Sequence, residues 1–339
     1  MTIEFVGIGD LHLDSGLRQF IPDFNRFVCD EVRKVLDYAR RNGITLVVLY
    51  GDICHRPTLS ADAIENLLVL LGENTDLRFV FLKGNHDHAT DEKNSLSVFK
   101  SACAAGILPN LRVVDKPCTL FQKTGTPLRL LPWPFSDTSE DCLNVLHLEV
   151  DGAAWDGGRK VSGGFSTDHF CVAGHLHTRQ KVKSVHFSGT LYQTSFGEKP
   201  KKYFHHVVWE DDKLPQISCV RHHPSYMLHN LIVSTREDLD QISDDPHQLY
   251  KVFVAKDVVL QENDLARGNI VRHNFFSSKE ELKVLIQTEL ELDDESWTVT
   301  SNTDHFLDEW LSKSAAAPAT VDRAKQLFAE LAVKVKSKE

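Results

Sequence analysis

Short β-branched runs that each break into a cluster of Gly, Asp, Asn and His constrain this chain more than any other feature. Residues 3–8 read as a strand and run into Gly9-Asp10-Leu11-His12. Residues 45–50 end at Gly51-Asp52, and residues 77–82 end at Gly84-Asn85-His86-Asp87. Helix-period segments lie between them. Residues 22–42 carry Phe24, Phe27, Val28, Val32, Val35, Leu36 and Ala39 on one stripe, with Asn42-Gly43 as the stop, and Ser60 caps a second helix that runs to Leu71. A repeat of strand, polar turn and helix is α/β grammar, and open sheets of that kind bind ligands at the carboxyl ends of their strands. The polar clusters therefore predict a site along one sheet edge.

Further strands are expected at 128–131, 143–148, 169–173 and 183–188, the last two bracketing Gly174-His175-Leu176-His177. Past about Val220 the pattern changes to alternating runs, 227–233, 250–255 and 297–300, around one helix at 279–289. This predicts a smaller α+β unit. Residues 314–320, rich in Ala and Pro, read as a linker, and residues 321–336 as an amphipathic helix with Val321, Ala324, Phe328, Leu331 and Val335 on one face. At 339 residues the chain exceeds the roughly 250–300 at which single cores stop growing. The expected domains are 1–220, 221–313 as a cap, and 314–339 as linker and terminal helix.

Histidine is the compositional outlier, 17 in all, several of them beside Gly, Asp or Asn. Five strand ends deliver Asp10 and His12, Asp52, Asn85 with His86 and Asp87, His147, and His175 with His177. These are N and O ligands only, suited to Mn²⁺, Fe or Zn²⁺ and unlike a thiolate-bound structural zinc. On an extended segment, residues two apart point the same way, so His175 and His177 are expected to face one cavity, as are Asp10 and His12. Glycines before Asp10, Asp52, Asn85 and His175 permit close approach of the backbone. Seven cysteines, an odd count without a Cys-x-x-Cys pair, suggest neither a zinc ribbon nor a disulfide framework, and fit a reducing compartment. No run approaches the roughly 18 apolar residues of a membrane span. The expectation is a soluble, cytoplasmic protein with no membrane partner. The formal net charge of −10 argues against a broad basic grip on nucleic acid, yet leaves room for a nuclease whose metal ions provide the positive charge.

The order Asp-x-His, Gly-Asp, Gly-Asn-His-Asp, His, Gly-His-x-His resembles the calcineurin-like metallophosphoesterases. Within them the chain is similar to the DNA nuclease branch, the SbcD-type nucleases and the small subunit of the phage recombination endonuclease. Gly51-Asp52-Ile53-Cys54-His55-Arg56-Pro57, the run from Val145 through His147 to Asp151-Gly152-Ala153, and Gly189-Thr190-Leu191-Tyr192-Gln193-Thr194-Ser195-Phe196-Gly197-Glu198 carry that likeness, which departs at Thr190 and Cys54 and ends near Val208. The resemblance implies a metallophosphoesterase β-sandwich flanked by helices, with an α+β cap and a helical tail. It implies two Mn²⁺ ions, with Mg²⁺, Fe or Zn²⁺ as alternatives: one on Asp10, His12, Asp52 and His177, the other on Asp52, Asn85, His147 and His175, with Asp52 shared. His86 is then the proton donor to the leaving oxygen, Asp87 its partner, and His55 a contact to substrate phosphate. DNA, an SMC-like coiled-coil ATPase bound through the terminal helix, and a second copy of the chain are the implied partners. The second copy is expected to dock through the helices after Asp52 and Asp87, residues 61–71 and 96–104, whose Leu67, Leu68, Leu70 and Leu71 exceed what one buried face requires.

Blander readings compete. His147, between Leu146 and Leu148, would equally suit a strand with one buried, hydrogen-bonded histidine, and His55 could be no more than a helix-start residue. His88 is expected to be solvated, His205, His206, His222 and His223 to be surface or strand positions, and Cys54 to be a buried thiol. Two rival functions stand beside the nuclease: a phosphoesterase for small molecules, and a binding module that has lost catalysis. Intact Asp52, Asn85 and His86 speak against the latter.

Overall fold

The computed structural model describes residues 2–90, 94–123, 125–211 and 213–293. Its first sheet contains β1 (Thr2–Ile8), β2 (Leu46–Leu49), β3 (Arg78–Leu82) and β4 (Leu111–Val114), all parallel. The second contains β5 (Cys118–Leu120), β6 (Leu128–Leu131), β7 (Leu143–His147), β8 (Cys171–Gly174), β9 (Gln180–Val182) and β10 (Val185–Phe187). The chain then returns to extend the first sheet through β11 (Lys202–Glu210), antiparallel to β1, and β12 (Gln216–His222). The strand orders are 12-11-1-2-3-4 and 5-6-7-8-10-9.

Two-residue alternation sorts the side chains between layers. Phe5, Val48, Tyr50, Val80 and Leu82 point from the first sheet into a core shared with Leu128, Leu130, Val145 and Val172 of the second. Their neighbours Val6, Ile8, Val47, Leu49, Phe79 and Phe81 point the other way, onto α1 (Phe24–Arg41), α2 (Ala61–Glu73) and Phe99 of α3 (Ser97–Ala104). Runs such as Leu46–Leu49 are apolar throughout because both faces are covered. Helix α1 ends where Gly43 takes φ +71°, and α2 begins where Ser60 Oγ accepts from Ala63 N at 3.1 Å. Of the four leucines expected to overfill α2, Leu67, Leu70 and Leu71 are buried; Leu68 is exposed, with Val69 and, on α3, Val98.

Beyond β12, β13 (Met227–Val233), β14 (Gln248–Ala255) and β15 (Ile270–Phe276) form a parallel three-stranded sheet with its own small core, followed by α4 (Lys279–Asp293). The described residues nevertheless cluster as one unit. The expected strand at 297–300, the linker at 314–320 and the helix at 321–336 lie outside the described residues.

Six strands escaped the periodicity reading: β4, β5, β9, β11, β12 and β15. β4, β5 and β9 are three or four residues long, too short for a pattern to emerge. β11 was hidden by its two histidines. His205 is fully buried against Tyr50, while His206 takes Tyr38 and Glu4 as partners on the opposite face, so both are strand positions and neither is a free surface residue.

Candidate metal centre

The polar clusters converge because β1, β2 and β3 of one sheet and β7 and β8 of the other end at the same rim. Each turn there is tight. Gly51 has φ +112°, and a Cβ on it would fall 2.2 Å from His147 Nδ1; a Cβ on Gly84 would fall 2.0 Å from Asp52 Oδ1. His12, Asp52 and His175 adopt φ of 48°, 47° and 83°, a left-handed region that costs a non-glycine residue energy and gathers at functional sites. This corrects the extended-segment expectation. His175 and His177 do not sit on a continued strand with parallel side chains: β8 stops at Gly174, and the left-handed turn sends the two rings into different groups.

In one group His147 Nδ1 lies 2.8 Å from the Tyr50 carbonyl, to which it donates, leaving Nε2 to face Asp52 Oδ2 at 3.1 Å and Asn85 Oδ1 at 2.9 Å. His175 Nδ1 is 3.0 Å from the same Asn85 oxygen, and its Nε2 stands 3.6 Å from Glu149. In the other group His12 Nε2 and His177 Nε2 are 3.0 Å apart, beside Asp10, whose carboxylate also accepts from His175 N at 2.9 Å. His12, His55 and His86 form a third cluster, with the His55 and His86 rings stacked at 5.3 Å. The His86 backbone N–H donates to Asp52 Oδ1 at 2.9 Å, and its Nδ1 sits 3.0 Å from the His55 carbonyl.

Burial opposes charge on all these groups, and their neighbours decide the outcome. Burial raises the Asp52 carboxyl, but His147, His86 and His12 around it hold it well below the usual range. Burial lowers His147 and His177, and the carboxylates of Asp52 and Glu198 respectively override it, to about 9 and about 10. His12 goes well below its ordinary value through burial and the charges of His86 and His177. Burial, then His86, takes His55 to about 4.

A donor set of carboxylates, one amide oxygen and imidazoles aimed into one buried rim fits hard-to-borderline divalent cations, and no thiol competes. Cys54 is fully buried and its thiol is pushed well up by burial and by Asp87.

Asp87 does not meet His86. Its buried carboxylate accepts from the N–H groups of Gly84 (2.9 Å), Cys54 (3.0 Å) and Ile53 (3.3 Å) and from Ser95 Oγ (3.0 Å), tying the Asp52 loop to the Asn85 loop. Burial and the Asp52 charge raise it to about 6. An aspartate next to a histidine suggested a pair; four orphan donors in the adjoining loops claimed it instead. His88 is not simply solvated either, since its ring packs 5.2 Å from Trp133.

Three supporting residues lay outside the sequence expectation. Glu198 is buried, accepts from His177 Nδ1 at 2.9 Å, and is itself paired with Lys202 and Thr194. A carboxylate there fixes the tautomer that leaves Nε2 free to bind a cation. Asp14 accepts from Ser60 N and Oγ (both 2.7 Å) and Asn25 Nδ2 (3.0 Å), anchoring the His12 turn to α1 and α2. Tyr192 Oη donates to the Leu11 carbonyl within the same turn. The signal for Asp14 was present as Asp10-Leu11-His12-Leu13-Asp14 and for Glu198 as the end of the 189–198 segment, but spacing alone gave neither a partner.

Residues 3–267 match the calcineurin-like phosphoesterase family. The chain is also similar to exonuclease subunit 1 of Enterobacteria phage T4, 25% identical over 215 residues, which are 58% of this chain and 62% of that protein. Among the described residues no helix is long and apolar enough to cross a membrane. With the fold, the rim of ligand-type side chains and this match together, the chain belongs to the calcineurin-like phosphoesterases, metal-using hydrolases that act on phosphoester bonds.

Proposed function

We propose that this chain is a manganese-dependent nuclease that hydrolyses phosphodiester bonds in DNA, the nuclease subunit of a repair or recombination complex with an SMC-like ATPase. The observation that carries the reading is the place of Asp52 between the two donor groups: its Oδ2 lies 3.1 Å from His147 Nε2 of one, and its main-chain carbonyl accepts from the N–H of His12 of the other at 3.0 Å, so its carboxylate could be shared by two cations. In this reading Asp10, His12, Asp52 and His177 hold one cation, and Asp52, Asn85, His147 and His175 the other. Two divalent cations so held would supply Lewis-acid polarisation of the phosphoryl oxygens and a nucleophilic water at neutral pH. His86 donates Nδ1–H to the His55 carbonyl, which orients the ring so that its Nε2, when the ring is doubly protonated, would give the proton to the leaving 3′ oxygen. His55, held neutral by burial, meets the phosphate as an N–H donor. Asp87 supports the chemistry by fixing the two loops that present Asp52 and Asn85.

DNA is favoured over a small phosphate ester by the phage exonuclease subunit among the relatives and by the three-stranded sheet of 227–276, which is hydrogen-bonded through Leu228 and Asn230 to Gln193 and Phe196 of the segment that carries Glu198. Residues 1–220 are then the nuclease domain, 221–313 the cap, and 314–339 the linker and ATPase-binding helix. Exposed Leu68, Val69 and Val98 support self-association through α2 and α3. The deciding experiment offers purified protein, with manganese or with excess chelator, labelled single- and double-stranded DNA, p-nitrophenyl phosphate and bis-p-nitrophenyl phosphate. Manganese-dependent cleavage of DNA and of the diester is expected. Turnover of the monoester alone would favour a small-molecule phosphatase, and DNA cleavage in excess chelator would remove the metal mechanism.

A further inference from the structure

We infer that Arg179, Arg221 and Tyr203 form a preorganised contact for the phosphate backbone of a nucleic-acid strand, lying beside the catalytic rim and outside the metal centre; the inference rests on the DNA reading above. The Arg179 guanidinium lies over the Tyr203 ring at 4.5 Å from its centre, and the Arg221 guanidinium at 5.3 Å. Both arginines are exposed, and among the described residues neither has a carboxylate within ion-pair distance. In a chain with formal net charge −10, whose other arginines commonly sit on acidic partners such as Asp30, Asp76, Asp137 and Asp264, two unneutralised guanidiniums on one ring are unusual.

Their location gives the pair a use. Tyr203 is in register with Arg221 across β11 and β12, and it lies at the end of β11 that pairs with the site-bearing end of β1, where Gly7 meets His205. Arg179 comes two residues after His177 on the edge of the other sheet, and Lys181 follows on β9 opposite His186. Cations from the edges of both sheets thus meet over one ring, on the strand paired with the one that leads into Asp10, with Arg179 two residues along the chain from His177. Because the guanidiniums already cover the ring, Tyr203 is not a platform for stacking bases. It holds two planar forks whose outer N–H edges suit phosphate oxygens, a contact blind to sequence. An exposed arginine held this way loses less rotamer freedom on binding than a free one.

The test measures affinity of the full chain for a fluorescein-labelled single-stranded 30-mer of DNA by anisotropy, at 4 °C in the presence of Mn²⁺ and immediately after mixing, across a salt series. For Arg179→Gln/Arg221→Gln, Kd should rise about tenfold or more, and the slope of log K against log salt should become shallower by about 1.4, two phosphate contacts at roughly 0.7 each. Tyr203→Phe keeps the ring face and should bind as the parent does; Tyr203→Ala should fall between the parent and the double variant. Melting temperature checks that each variant folds, and Arg221→Gln alone, on an edge strand, should lower the slope by about half as much if the double variant is unstable. A double variant, or a folded Arg221→Gln, with parental slope and affinity overturns this inference and leaves the nuclease reading standing. A parent chain that does not bind DNA overturns both.

Discussion

The two donor groups of the candidate metal centre are held in different ways. His147 takes its tautomer from the main chain, donating to the Tyr50 carbonyl at the end of β2, and that strand is locked between β1 and β3. His177 takes its tautomer from a side chain, Glu198, whose charge is in turn balanced by Lys202 in a buried ion pair. A carbonyl in a sheet costs nothing further to keep in place. A buried carboxylate must be compensated by a second charge, and that second charge comes from β11, on the far side of the 189–198 segment. The contrast teaches that one donor group is as rigid as the sandwich itself, whereas the other depends on an electrostatic network that a single substitution can undo.

The largest effect should come from the residue that belongs to neither half. His86→Ala should lower kcat on DNA about 10²- to 10⁴-fold while bound manganese, by elemental analysis, stays at the parental level. A halved manganese content would instead put His86 among the ligands. Lys202→Met should leave the Glu198 charge buried without its partner and cost about 3–5 kcal/mol in denaturant unfolding. Lys202→Met/Glu198→Gln should recover most of that loss; if the double variant is no more stable than the single one, the ion pair is not what balances this half.

Glu198→Gln separates the halves more finely. It should weaken manganese binding about 10- to 100-fold at one of two sites in a calorimetric titration and spare the other. Equal weakening at both would mean that the halves are not independent. The smallest effect concerns a buried carboxylate far from the rim. Burial raises Glu31, but bonds from His222, Lys34 and Ser225 outweigh it, so its folded pKa lies below the model-compound value of 4.5. A lowered carboxyl pKa contributes stability that is fully present above about 4.5 and is lost as pH falls through the folded value. Glu31→Gln should therefore be less stable at neutral pH and show a flatter decline of melting temperature below about pH 4.5. An unchanged acid limb would show that Glu31 does not govern it.

Alternating and all-apolar runs named β1, β2, β3, β6, β7, β8, β10, β13 and β14, and helix-period stripes the four helices, to within a few residues, because an element covered on one or both faces must write that covering into its side chains. The residues of the rim could be named for the same kind of reason: metal-ligand types at the ends of parallel strands leave a linear trace in the order Asp-x-His, Gly-Asp, Gly-Asn-His-Asp, His, Gly-His-x-His. Partnership left no such trace. That Asp87 serves Gly84, Ile53, Cys54 and Ser95 rather than His86, that His175 and His177 part at a left-handed turn, and that Glu198 holds His177 were decided only when loops distant in sequence were packed together. A side chain's neighbours along the chain fix its local backbone. Its hydrogen-bond partners are chosen by whichever buried donors and acceptors the tertiary fold leaves unsatisfied within reach.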